Sequence, residues 1–352
     1  MMLISVGILA RNEERAIEGM LRSLFQQTAL QGPAGDLAGC SWEILVVPNG
    51  CTDGTAAVSR RVLAELVARA DRRVTWRVCE VEEGGKSNAW NRFVHEFSNA
   101  DADLIALMDA DIEFGERETL SNTVTALSRD PRAVAAVDLP LKDAVKKRRP
   151  SAIERLSVRA AGNVLQRRPE LCGQFFVARR EPLRRIWMPK GLSVEDGFLD
   201  AMLVTNCFRE PADYARIIRA AGASHYYETL ASLQAIFRHE LRLVIGTTLN
   251  CYLLWDFLLF ATDPTGDGAG ELIHRQMQRD PEWYEKLMTN SIRTRGWWVL
   301  PGDMLFRRFA ARKRRALGAK WLLKALVGFT LDLPVCIAAN SRIKKLDSIG
   351  YW

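Results

Sequence analysis

Two pairs of carboxylates stand at positions where acids do chemistry. Asp109 and Asp111 flank Ala110 directly after the apolar run Leu104–Met108. Side chains alternate along a strand, so both carboxylates leave it on one side, where a divalent cation can join them to a diphosphate. Alone, such a triplet is as readily a solvated strand end. The second pair, Glu195-Asp196, begins the helical pattern in LSVEDGFLDAML. A carboxylate there can serve as a general base, or can simply answer the positive end of a helix dipole. Polar residues suited to a nucleotide lie earlier in the chain. Asn12-Glu13 close one apolar run, Asn49, Gly50 and Asp53 close another, and Gly84-Gly85-Lys86 precede a helical stretch. Glycines let backbone approach a phosphate closely, and a lysine supplies countercharge.

Such residues act together only if the fold gathers them. Residues 2–10 are apolar and read as a buried parallel strand, followed at 13–27 by Ile17, Met20, Leu21 and Leu24 at helical spacing. Glu43–Val47 reads as a second strand, and Thr52 or Asp53 can cap the helix that runs on to about Ala70. A strand at 74–79, a helix at 86–98 and the strand Leu104–Met108 continue the alternation, and Leu171–Val177 reads as a further strand. This is the pattern of an α/β fold, a mostly parallel, Rossmann-like sheet flanked by helices. Ligands of such sheets sit beyond the carboxyl ends of the strands, where all these polar signatures fall.

The whole chain has 352 residues, 48% hydrophobic and 26% charged, with a net charge of +7. That balance excludes a disordered chain and favours a polyanionic partner. The seven cysteines (40, 51, 79, 172, 207, 251, 336) show no CxxC or zinc spacing and read as reduced cytosolic thiols. The N-terminal run is too short for a signal sequence and reads as the first strand, which places the active site in the cytoplasm.

The order ILARNEE, EILVVPNGCTDGT, GGKSNAWN, LIALMDADIEF, CGQFFVARREPL and LSVEDGFLDAML resembles the family 2 glycosyltransferases, across about residues 3 to 245. The resemblance implies a GT-A fold and an inverting, single displacement from a nucleoside-diphosphate sugar, a UDP-sugar by preference, with Mg²⁺ or Mn²⁺ neutralising the leaving diphosphate. It makes Asp111 the principal metal ligand and Asp109 a ribose or metal contact. Lys86 falls to the nucleotide and Asp196 to the base, with Glu195 as second choice. Ala10, Asn12, Glu13, Asn49, Asp53 and Gly173 fall on the nucleotide-sugar pocket. Two departures stand out. Pro48-Asn49 replaces an acidic pair near the nucleotide base, which loosens the preference for uracil. Gln234–His239 lacks the tryptophan of the QxxRW segment of processive synthases, which favours addition of one or a few sugars. Arg238 and Arg242 are four apart on a helix, so both can face the diphosphate or form a solvated basic stripe. His225 reads as a packed histidine before a metal ligand.

Beyond residue 228 the alternation stops, so residues 1–228 are expected as the catalytic domain and 229–352 as a helical region. Its apolar stretches, 243–262 and 317–339, contain Asn250, Asp256, Lys324, Asp332 and Pro334. Two spanning segments would leave the loop 263–316, with eleven Lys or Arg residues, outside, against the positive-inside rule. Helices resting on the cytoplasmic leaflet of the inner membrane fit better, with the basic runs Arg307-Arg308 and 312–315 meeting anionic lipid and 146–149 adding a further contact. The expected partners are therefore a nucleoside-diphosphate sugar, a lipid or glycan acceptor and that leaflet, without nucleic acid. Helices buried in a core remain the soluble alternative. A sugar-phosphate nucleotidyltransferase would need a glycine-rich, arginine-bearing loop where ARNEERAIEG stands. A basic binding protein with a degenerate pocket would not need all four acids.

Overall fold

The apolar run after Met2 forms β1 (Leu3–Ala10), buried beyond its first residue as unbroken hydrophobicity demands of a central strand. The computed structural model describes residues 2–31, 37, 39–69, 73–161, 168–310 and 319–345. After β1 come α1 (Ile17–Phe25), β2 (Ser41–Pro48), α2 (Thr55–Val67) and β3 (Val74–Val78). α3 (Lys86–Arg92) runs into a π turn at Phe93–Phe97, and β4 (Leu104–Asp109) follows. Next are β5 (Glu113–Phe114), α4 (Thr119–Arg129), β6 (Ala135–Lys142), α5 (Ala152–Ala161), β7 (Phe175–Arg179) and the short α6 (Arg180–Arg184). α7 (Glu195–Val204) and the long β8 (Ile217–Tyr227) complete this part.

The strands form one sheet in the order β3-β2-β1-β4-β7-β6-β8-β5. Its first four strands are parallel, with Leu9 of β1 opposite both Val47 and Asp109. β7 then lies antiparallel to β4, Phe175 opposite Met108, and antiparallel to β6. The sheet therefore mixes directions in its second half. The strand expected at Leu171–Val177 begins instead at Phe175. Ahead of it the chain loops, with Asp200 taking the Leu171 N–H at 3.2 Å, while the Gln174 carbonyl still receives the Asp109 N–H at 2.9 Å.

Apolar side chains fill both faces of the sheet. Leu21 and Leu24 of α1 and Leu120 of α4 cover one face. Trp90, Phe93, Phe198 and Met202 cover the other, and their cluster runs without a break into the C-terminal helices through Leu249, Met288 and Cys336. These helices are α8 (Leu233–Cys251), extended by a π segment at Tyr252–Leu258 into α9 (Leu259–Ala261), then α10 (Gly268–Arg279), α11 (Trp283–Arg293), α12 (Arg307–Ala310) and α13 (Ala319–Lys344).

Leu233–Ala261 and Ala325–Lys344 are each long and apolar enough to cross a membrane. Their acids are nevertheless paired with arginines. Asp256 pairs with Arg295. Asp332, only 2% exposed, accepts hydrogen bonds from Arg307 and Arg308, both at 2.8 Å, and Arg307 also reaches Glu240 at 2.8 Å. Burial alone would raise the Asp332 carboxyl, but the two guanidinium groups bring it down to about 2. The basic run 312–315 lies outside the described residues. On the opposite side of α13, Leu323 (63%), Val327 (56%) and Leu331 (60%) face outward.

A ring stack joins the two halves. Trp187 lies between His95 and His274, with centroids 3.6 Å and 3.8 Å away and planes within 4°. Burial, with the nearby Arg184 and His274, lowers the His95 imidazole to about 4 although the Ile186 carbonyl acts the other way. An unfolded chain takes up this proton near the ordinary 6.5, so between these values the unfolded state binds more protons. Stability is therefore expected to fall as pH drops from 6.5 towards 4 and to level off below, by roughly 1–2 kcal/mol after allowance for solvent screening. Thermal melts against pH should show this, and His95→Phe, which keeps a ring in the stack, should flatten that part of the curve.

Candidate functional site

The site is built where β1, β2 and β4 end. Asn12 leaves β1 with φ of 58°, a left-handed turn that asparagine tolerates, and its Oδ1 receives the Thr52 N–H at 2.8 Å. Asn49 is buried, donating from Nδ2 to the Ala10 carbonyl at 2.9 Å and accepting the Gly85 N–H at 3.1 Å. Asp53 accepts from the Glu14 and Thr55 N–H groups, both at 3.1 Å, and so ties the loop ahead of α2, whose N-cap is Gly54 rather than Thr52 or Asp53 as expected. Gly50 has φ of 54°, and a Cβ there would lie 2.6 Å from the Gly84 Cα. These bonds stack three loops into one wall. Ala10, Asn49 and Asp53 thus use their polar atoms inside that wall, and Asp53 does not line the cleft beside it.

That cleft, about 530 Å³, is lined by Asn12, Glu13, Asn49, Lys86, Asp109 and Asp111, with Arg242 opposite from α8. A second cavity of about 390 Å³ shares Lys86, Asp109 and Arg242 and adds Gly173, Glu195 and Asp196. At their junction the Lys86 ammonium stands 2.7 Å from Asp109 Oδ1 and 2.6 Å from Glu195 Oε1, within 3.5 Å of the Gly173 carbonyl. Residues 86, 109 and 195 therefore meet in one place.

The electrostatics follow from burial and crowding of like charge. Burial would lower the Lys86 ammonium, but the two carboxylates reverse this and hold it charged. Burial first, then Asp111 and Asp109, push the Glu13 carboxyl up to about 7. Burial raises Asp109 as well, with Glu195 and Asp111 adding to it against the pull of Lys86. Glu195 lies low because Lys86 outweighs its desolvation. Asp196, by contrast, is raised by burial and by its neighbour Glu195, with the Gly197 N–H at 2.8 Å restraining it. A raised carboxylate beside a lowered one suits a proton acceptor next to a fixed anion. Among the described residues no three His, Cys, Asp or Glu side chains stand as a ready-made metal cage. The hard oxygens of Asp109 and Asp111 fit Mg²⁺ or Mn²⁺ of the kind that completes its shell from a diphosphate.

Two braces hold the acids in place. Val194, just before Glu195, has φ of 58° and ψ of 57°. A β-branched residue there is strained by about 1–3 kcal/mol and persists only when its surroundings fix it. α8 supplies that fixing: Asn250 donates to the Val194 carbonyl at 2.8 Å, and a Cβ on Gly246 would lie 2.3 Å from Val194 Cγ2. On β8, buried His225 sets Nδ1 at 2.9 Å from both oxygens of Asp138 and Nε2 at 3.2 Å from Gln174 Oε1. It is a hydrogen-bonded histidine, as its sequence context predicts, and it steadies the Gln174 loop that bonds to Asp109.

Asn12, Glu13, Lys86, Asp109, Asp111, Gly173, Glu195, Asp196 and Arg242 therefore converge on the two cavities. Arg238 does not. It is exposed one turn earlier on α8, and the helix presents His239 with Arg242 instead. The i,i+4 spacing allowed either arginine; the rotation of α8 against α7 decides. Sequence reading missed His239, Tyr227 and Gly246. For His239 the only signal was adjacency to the Arg238 stretch, and for Tyr227 an aromatic ending a strand.

A sheet of this order with acids at the end of its parallel half is a GT-A glycosyltransferase fold. The profile described as Glycosyl transferase family 2 matches residues 5–187, and the chain belongs to that family. Among solved structures it is similar to a mannosyltransferase from Pyrobaculum calidifontis, solved with GDP-Man and Mn²⁺, at 18% identity over 97% of this chain and 86% of that one, with a TM-score of 0.56. A glucosyl-3-phosphoglycerate synthase from Mycobacterium tuberculosis aligns at 19% identity over 70% and 78% of the chains, with a TM-score of 0.44. S. aureus TarS aligns at 16% identity over 98% and 90%, with a TM-score of 0.45. At 18% identity the likeness to the Pyrobaculum enzyme is one of fold. No curated protein matches by sequence.

The Val194 brace is testable. Gly246→Ala should destabilise the protein by about 1–3 kcal/mol through overpacking, seen as a lower melting temperature. Val194→Ala in the same chain removes the clashing methyl and should recover most of that loss. Simple additivity of the two would mean that they do not touch.

Proposed function

We propose that the protein is an inverting, metal-dependent transferase that moves a sugar from a nucleoside-diphosphate sugar to an acceptor hydroxyl presented at a membrane surface. The observation that carries this reading is the Lys86 ammonium between Asp109 and Glu195, at 2.7 Å and 2.6 Å. It joins the diphosphate end of the site to the acid pair that would act on the acceptor. Asn12, Glu13 and Asn49 border the nucleotide, and Lys86 and Arg242 face the diphosphate with positive charge. Asp111 and Asp109 hold Mg²⁺ or Mn²⁺, which neutralises charge on the leaving group when bound. The Pyrobaculum structure holds Mn²⁺ with a nucleotide sugar. Asp196 takes the acceptor proton, and Glu195 keeps Lys86 in register. The nucleotide is UDP by preference, and one or a few sugars are added.

The membrane part rests on α13. With Asp332 drawn inward, the outward face carries Leu323, Val327 and Leu331. Arg307 and Arg308, expected at the lipid, are engaged by Asp332 and Glu240 instead, so the apolar row alone supports a bilayer contact. The acceptor is then a lipid, a lipid-linked sugar or a cell-surface glycan precursor at the cytoplasmic leaflet.

Calorimetric titration with UDP, GDP, TDP and CDP, with and without Mn²⁺, should show one nucleotide binding only with metal. Absence of binding by all four in folded protein would overturn the transferase reading. Asp111→Ala should abolish that binding. Asp196→Asn should leave it unchanged while removing sugar transfer, and loss of binding instead would refute the base role. Floated with vesicles containing phosphatidylglycerol, the protein should rise to the top, and Leu323→Glu with Leu331→Glu should leave it at the bottom; flotation unaltered by these changes would exclude α13 as the contact.

A further inference from the structure

Asp138 and His225 form a buried pair that lines neither cavity of the site. They are 1% and 0% exposed, and both oxygens of the carboxylate lie 2.9 Å from His225 Nδ1. β6 and β8 pair regularly as far as Val137 opposite Arg219, and again from Leu139 opposite Ser224. Asp138 sits at the break between these stretches, across from the turn in β8 where Gly222 takes φ of 64°. A break of this kind re-aims a side chain, and such breaks recur beside active sites. A buried carboxylate needs a donor and a countercharge. Among the described residues, His225 is the one side chain that meets it.

The pair reaches the 390 Å³ cavity through Gln174, which lines it together with Lys86, Asp109 and Asp196. The two ends of an amide differ only in what they bond, so its partners settle which way it points. Nδ1 of His225 faces a carboxylate, which only accepts, and therefore carries a hydrogen. As counterion to that carboxylate the ring carries a second hydrogen on Nε2, which donates to Gln174 Oε1 at 3.2 Å. Cys172 Sγ donates to the same oxygen at 3.3 Å. Burial pushes that thiol up to about 12, which keeps it a donor. With two donors on Oε1, the Gln174 NH₂ is left for the cavity, and among the described residues it meets no acceptor.

We propose that Asp138, His225 and Cys172 lock the Gln174 amide with its NH₂ toward the cavity, where it donates to a hydroxyl oxygen of the sugar being transferred. The proposal rests on the nucleotide-sugar transferase reading. In that reaction the sugar lies between the diphosphate, at Lys86 and Asp109, and the base at Asp196, so its ring occupies the cavity that Gln174 lines. Gln174 is then a specificity-determining residue, and Asp138 and His225 are positioning residues that act through it. An unrestrained glutamine offers a ligand either end of its amide and loses rotamer freedom on binding. A locked one offers only a donor and has lost that freedom on folding.

Two measurements on the full chain test this. Long-range ¹H–¹⁵N spectra of protein labelled in its four histidines read the protons directly. His225, the signal that survives His95→Phe, His239→Gln and His274→Gln, should show hydrogen on both ring nitrogens near neutral pH. A bare Nε2 would turn the amide round and overturn the proposal. Calorimetry with Mn²⁺ then compares UDP-glucose with UDP, or GDP-mannose with GDP where guanine is the base bound. Gln174→Ala should lower the affinity of the sugar nucleotide about tenfold relative to the bare nucleotide, the scale of one hydrogen bond. Asp138→Leu with His225→Leu removes both charges together and so leaves no unpaired one in the core. It should lower the same ratio roughly three- to tenfold, and no further in a chain already carrying Gln174→Ala. A pair that merely propped the loop would weaken both ligands alike and add to Gln174→Ala. That result, or a ratio untouched by Gln174→Ala, would overturn the proposal and leave the transferase reading standing. Binding of no nucleotide by the folded wild-type chain would remove that reading and the sugar role with it.

Discussion

One lysine sets the terms of this structure. Lys86 reaches from the start of α3 to carboxylates on β4 and α7, elements separated by more than eighty residues of chain, and both lie within hydrogen-bond range of its ammonium. Two carboxylates this close would repel strongly in a partly buried cleft, and the intervening cation makes their juxtaposition tolerable. The rest of the sheet serves this arrangement. β1 and β2 carry the loop wall behind Lys86, β4 delivers Asp109 at its last residue, and antiparallel β7 brings the Gly173 loop across to meet it.

The acid pair on α7 would not hold its position without the C-terminal helices. Val194 is kept in a left-handed turn by Asn250 and by the room at Gly246, so α8 braces the catalytic half instead of merely following it. The same helix presents Arg242 and His239 to the cleft, and the hydrophobic cluster continues through it to α13. Strain at Val194 is the local sign of this dependence.

Much of this was legible in the residues. Unbroken apolar runs announced the parallel strands, because a strand covered on both faces must be hydrophobic throughout. The acids at 109, 111, 195 and 196, and Lys86, announced the cleft, because their types and places at strand and helix ends have few other uses together. What stayed hidden depends on packing between distant segments. The choice of Arg242 over Arg238 is a helix rotation. The loop ahead of β7 is tied to Asp200 by a bond that no local pattern encodes. Asn250 was visible only as a polar residue in an apolar stretch, where it argued against a membrane span; its bond to Val194 required the fold.

The clamp on Asp332 has a consequence for how the molecule meets its surroundings. Two arginines gripping one carboxylate fix the rotation of α13 about its own axis, as a key fixes a wheel on a shaft. The row of Leu323, Val327 and Leu331 is thereby held in a constant bearing relative to the sheet. Whatever surface covers that row, the protein can land on it in only one attitude, and the angle at which its cavities open above that surface is decided before contact is made.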